Sequence, residues 1–126
     1  MSPRSSTVHH FEVALQRVEP TVWRGIQVPS DYSFWDLHVA IQDAMGWLDY
    51  HLHEFEIASP TTGELERIGI PDDAFDDEQP ALPSWGLQIS DYFSSENARA
   101  IYTYDFGDNW QHTVTLKEVV ERVPRM

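Results

Sequence analysis

Ser33-Phe34-Trp35-Asp36-Leu37-His38-Val39-Ala40-Ile41-Gln42-Asp43-Ala44-Met45-Gly46 decides how the rest of the chain is arranged. The Ser33 hydroxyl can accept from the free amides of a first helical turn. Asp36, three positions on, supplies the reciprocal carboxylate of a shortened capping box. Phe34, Leu37, Ile41 and Ala44 or Met45 recur on one helical face, with His38 beside the stripe. Gly46 suits a left-handed cap at the other end. The spacing predicts one helix over 33–45, and its single apolar stripe needs a sheet to cover.

The segments on either side have a period of two. In His9 to Val18, Phe11, Val13 and Leu15 share one face and Glu12, Ala14 and Gln16 the other. After the break at Glu19-Pro20-Thr21, Val22, Arg24, Ile26 and Val28 alternate with Trp23, Gly25 and Gln27. The short break predicts an antiparallel hairpin or tight bend, and Gly25 within a strand predicts a bulge or a close backbone approach. Beyond the helix, His51, His53, Phe55 and Ile57 alternate with Leu52, Glu54 and Glu56, and Leu65 to Ile70 suits a short strand. Pro71 to Pro80 holds Asp72, Asp73, Asp76, Asp77 and Glu78 with little apolar matter and reads as an exposed loop over 71–80. Leu82 to Gly86 reads as irregular around Pro83, and Leu87 to Phe93 as one or two helical turns. Arg99 to Asp105 and Trp110 to Val120 form a second hairpin about Gly107-Asp108-Asn109. The expected fold is α+β: a two-layer domain over 8–120 with a mixed β-sheet, in the order β-β-α-β-(short α)-β-β.

Composition narrows the functions. The chain has 126 residues, with 21 Asp plus Glu against 8 Lys plus Arg, a net charge of −13. A field of that sign repels phosphate backbones, so direct nucleic-acid binding is disfavoured; an acidic surface can attract a basic partner or divalent cations, and a solubilising shell is the plainer reading. There is no cysteine, hence no disulfide framework, thiolate site or cysteine nucleophile. No apolar run reaches the roughly 18 residues of a membrane span, and no secretory leader pattern opens the chain. The expectation is a soluble cytoplasmic domain; its oligomeric state is not written in the sequence. Crowded acids should repel one another, so moderate salt or divalent ions are expected to raise the melting temperature. A melting temperature flat across a salt series would count against that repulsion.

Three blocks resemble a known family. They are Val18-Glu19-Pro20-Thr21-Val22-Trp23-Arg24 with Val28-Pro29; Leu37-His38, Ile41-Gln42, Met45-Gly46-Trp47 and Tyr50-His51-Leu52-His53-Glu54-Phe55; and Tyr104-Asp105-Phe106-Gly107-Asp108-Asn109-Trp110-Gln111-His112. Together they resemble the plasmid pRiA4b ORF-3-like proteins of bacteria and archaea, encoded in part on plasmids and mobile elements. The resemblance runs from about Phe11 to Val119. It implies a compact α+β domain with a mixed sheet, and no established activity, cofactor or substrate. The segment from Ile57 to Leu82 is shorter than the family pattern implies.

The chemistry-bearing candidates are His51, His53, Asp105, Asp108 and His112, with His38 and Glu54 close in sequence. Without cysteine, a metal site must use imidazole and carboxylate. On a strand His51 and His53 point the same way, and a turn at Asp108-Asn109 would set Asp105 opposite His112. The structural alternative is a set of satisfied histidines and a hairpin capped by its own aspartates. The sequence names no cofactor; a divalent metal is what this cluster could hold. His-Glu-x-x-His, Gly-x-Ser-x-Gly and the glycine-rich phosphate fingerprints are absent. Trp23, Trp35, Trp47, Trp85 and Trp110 are expected to knit the core, although Trp35 falls on the polar side of the helix, where with Tyr32 it would mark a contact surface. Tyr102 and Tyr104 share a sheet face. Two readings remain: a non-enzymatic protein-interaction module, which the lack of a catalytic pattern favours, and a divalent-metal-binding domain or metal-dependent hydrolase.

Overall fold

The computed structural model describes residues 7–48, 52–71, 81–105 and 107–121. Its elements are β1 (Thr7–Leu15), β2 (Val22–Pro29), α1 (Phe34–Met45), β3 (His53–Ala58), β4 (Leu65–Gly69), β5 (Leu82–Pro83), two 3-10 turns (Ser84–Gly86 and Ile89–Asp91), β6 (Arg99–Tyr104) and β7 (Trp110–Glu121). The strands form one sheet in the order β2-β1-β7-β6-β3-β4-β5. All neighbours are antiparallel except β4 and β5, which run parallel. This is the mixed α+β architecture that the alternation predicts. Residues 72–80 of the acidic segment lie outside the described residues.

The sheet is open, and its first and last hairpins are neighbours. β1 pairs with β2 on one side and β7 on the other, so the first hairpin docks directly on the last. α1 packs on the face beneath, against β2, β4 and the first 3-10 turn. Its start carries the full capping box. Asp36 N–H donates to Ser33 Oγ and Ser33 N–H donates to Asp36 Oδ2, both at 3.1 Å. Gly46 ends it at φ 78°, with its N–H on the Gln42 carbonyl. The buried stripe is Phe34, Leu37, His38, Ile41 and Gln42, so two polar side chains share the core face. Phe34 makes an edge contact with Phe55 at 5.2 Å and stacks on Phe93 at 5.9 Å, joining helix, sheet and the segment that follows the second 3-10 turn.

Four expectations are corrected. Gly25 marks neither a bulge nor a close approach: the β1–β2 register runs through Glu12↔Gly25 unbroken, and the bulge lies between His10 and Phe11 in the β1–β7 pairing. The close approach is at Gly69, where a Cβ would stand 2.6 Å from the His53 carbonyl oxygen. Gly69→Ala is therefore expected to cost about 2–3 kcal/mol, read by denaturant unfolding, because β4 must move off β3. A change under 0.5 kcal/mol would show that the strands give freely.

The residues around Pro83 are not irregular. Leu82–Pro83 forms the edge strand β5, where a missing N–H is tolerated. The last hairpin is wider than expected: Tyr104 pairs with Trp110 and Tyr102 with His112, so Asp105 does not face His112. Residues 105–109 form the connection, bracketed by left-handed Asp105 and Asn109. Finally, Trp23 and Trp85 are 54% and 59% exposed and do not knit the core. Tyr102 and Tyr104 do face it, and are buried.

Candidate functional site

Beneath α1 lies a buried polar network. His53 opens β3, Tyr102 sits on β6 and His112 on β7. The pairings His53↔Tyr104 and Tyr102↔His112 bring all three to the core face. α1 lowers His38 and Gln42, one turn apart, onto them. The His38 and His53 rings stack at 3.7 Å, tilted by only 11°. The Tyr102 hydroxyl accepts from Gln42 Nε2 at 2.9 Å and hydrogen-bonds His38 Nδ1 at 2.6 Å. His53 Nε2 meets Ser84 Oγ at 3.3 Å. Trp35 leans over both rings, 5.1 Å from His38 and 5.6 Å from His53.

Proton positions follow from the donors. Trp47 Nε1 can only donate, and it donates to His112 Nε2 at 3.1 Å. His112 therefore carries its proton on Nδ1, which donates to the Tyr102 carbonyl at 3.1 Å. Burial lowers the His112 pKa, partly countered by backbone hydrogen bonds to Tyr102 and Trp110. Burial, then the adjacent His38, brings His53 down to about 3. Both rings are neutral at pH 7. His53 Nδ1 has no hydrogen-bond partner among the described residues.

The sequence-predicted cluster is dispersed. His51 lies outside the described residues. His53 and His112 are buried in the network, and both nitrogens of His112 are engaged within the protein. Asp105 and Asp108 belong to the hairpin connection, where Asp105 Oδ1 faces the Asp108 N–H at 3.4 Å. Glu54 points to the opposite sheet face and pairs with Arg67 at 3.4 Å. Among the described residues, no three His, Cys, Asp or Glu side chains converge to hold a metal ion. The divalent-metal expectation is corrected accordingly: both His112 nitrogens are spent on internal hydrogen bonds, and the His53 ring stacks on His38 and meets Ser84. The sequence reading missed Tyr102, Gln42, Ser84 and Trp47 as partners. His38 and Gln42 at positions i and i+4 beside the apolar stripe were the available signal.

The other face of the sheet has a different character. One row crosses six strands through paired residues: Trp23, Ala14, Thr113, Ile101, Glu56 and Arg67. All of them keep solvent exposure. Among the described residues, α1 and both 3-10 turns lie on the core face and leave this one uncovered. At its β2 margin is an open groove of about 320 Å³, with Gly25 between Trp23 and Gln27, and Glu12, His10 and Lys117 alongside.

Among the described residues, one α-helix held to a seven-stranded mixed sheet by a buried His–Tyr network defines a small α+β domain. The chain belongs to the plasmid pRiA4b ORF-3-like protein family, whose pattern it matches over residues 7–126. It is similar to uncharacterized protein y4hQ of Sinorhizobium fredii (strain NBRC 101917 / NGR234), with 29% identity over 119 residues covering 94% of this chain and 57% of that protein. It is also similar to the crystal structure of MM3350, a protein of unknown function from Methanosarcina mazei Go1. There the TM-score is 0.86 and the identity 46%, over 95% of this chain and 64% of that one. The chain thus spans under two thirds of either relative. No helix among the described residues is long and apolar enough to cross a membrane.

Proposed function

We propose that this chain is a non-enzymatic protein-interaction module whose working surface is the sheet face opposite α1. The observation that carries this reading is the uncovered row from Trp23 to Arg67. A six-strand-wide face of mixed apolar and polar side chains, with a half-exposed Trp at its margin, has the make-up of a recognition surface. The histidine network supports the same division of labour. Its rings are buried, neutral at pH 7 and turned inward, so they serve packing under the helix rather than turnover.

The test compares two variants in affinity capture from the native lysate. Thr113→Arg with Ile101→Glu remodels the face at half-buried positions; His53→Phe remodels the network and keeps a stacking ring. The expected result is that partners are lost with the face variant and kept with His53→Phe. Loss confined to His53→Phe, with the fold intact, would overturn the module reading.

A further inference from the structure

β2 is an edge strand, and its hydrogen-bonding direction can be worked out. Ser30 N–H donates to the Thr7 carbonyl. In an antiparallel ladder the hydrogen-bonded pairs recur every second residue. The β1–β2 register then directs the backbone groups of Val22, Arg24, Ile26 and Val28 at β1, and those of Trp23, Gly25 and Gln27 away from the sheet. No described strand pairs with β2 on that side. The same three residues put their side-chain positions on the groove, and Gly25 leaves the gap.

We propose that the β2 edge accepts an extended basic segment of a partner protein, which pairs with the outward backbone of Gly25 and Gln27 and with the Trp23 N–H, the Trp23 carbonyl being held by Arg24, and seats one Lys or Arg side chain in the gap over Gly25. This rests on the interaction-module reading and names its partner chemistry. Strand addition supplies backbone affinity, and a pocket between alternate side chains supplies specificity. The gap is suited to a cation. The exposed Trp23 ring forms one wall. Glu12 lies opposite Gly25, held by Lys117 only at 3.9 Å. Arg24 is turned to the Trp23 carbonyl at 2.7 Å. Charges around the groove nearly balance, so the sign of the partner is set by the −13 of the whole chain.

Gly25 makes the test clean. A Cβ there would meet only Trp23 Cζ3, at 4.0 Å, so Gly25→Val fills the gap and the strand tolerates it. The probes are three nonapeptides with Val at alternate positions and Lys, Ser or Glu between. The full chain is titrated with each, following amide exchange and shifts by NMR. The Lys peptide is expected to bind saturably, to weaken as salt rises, and to protect the Trp23, Gly25 and Gln27 amides. Its affinity should fall about tenfold with Gly25→Val and about fivefold with Trp23→Ala. Equal binding of Lys and Glu peptides, no saturable Lys binding, unprotected edge amides, or self-association through β2 would each overturn the proposal. If the edge fails while the Thr113/Ile101 variant still loses native partners, the module reading stands and this inference alone falls.

Discussion

Taken from pH 7 to pH 4.5, the protein is expected to lose about 3 kcal/mol of stability through His53. In the folded state its pKa is held near 3 by burial first and by His38 second, against an ordinary 6.5 in the unfolded chain. Above 6.5 both states are neutral and the group has no effect on stability. Between 6.5 and about 3 the unfolded chain takes up a proton that the folded chain refuses, so stability falls with pH across that window. His112 and His9 are also lowered by burial and act in the same direction. Unfolding by urea across this range, at about 0.3 M salt to screen surface repulsion, gives the wild-type curve. His53→Phe keeps the stack on His38 and removes the titration, so its curve should be flatter by most of that amount. Parallel curves would show that His53 is not the group that matters.

Phe34→Ala is expected to be the most damaging single truncation, at about 4 kcal/mol. The ring is fully buried and joins α1 to Phe55, Tyr92 and Phe93 through ring contacts. Its N–H also donates to the Leu87 carbonyl at 2.9 Å, tying the helix start to the following connection. The cavity would open where helix, sheet and 3-10 turn meet, and backbone bonds on three sides oppose collapse. Val39→Ala, on the same helix but 39% exposed, is the control and should cost under about 0.5 kcal/mol. Comparable urea midpoints for the two variants would refute the assignment of Phe34 as the junction.

Local pattern carried much of the fold into view. Phe11, Val13 and Leu15 face the core as their period requires, and Ser33, Asp36 and Gly46 cap α1 as their chemistry requires. What failed depended on distant geometry. Asp108 and Asn109 are good turn residues, but the chain reverses over 105–109, with Asp105 itself left-handed, and the register moved with it. His38 was visible beside the helix stripe, yet its stacking partner is fixed only by which strand passes beneath the helix. Glu54 neighbours His53 in sequence and faces the opposite side of the sheet, as the period of two demands. The tryptophans misled because a large apolar residue can serve a rim as well as a core.

The two ends of the sheet differ in a way that bears on where an assembly begins. β5 is two residues long and finishes on Pro83, which has no N–H to offer. β2 is eight residues long, with outward-facing backbone at the alternate residues Trp23, Gly25 and Gln27. Among the described residues the two termini of the sheet are thus unequally reactive in the polymer chemist's sense: β2 is long and open, while β5 covers only Ile68 and Gly69 of β4 and stops on proline. Edge pairing is expected to start at β2.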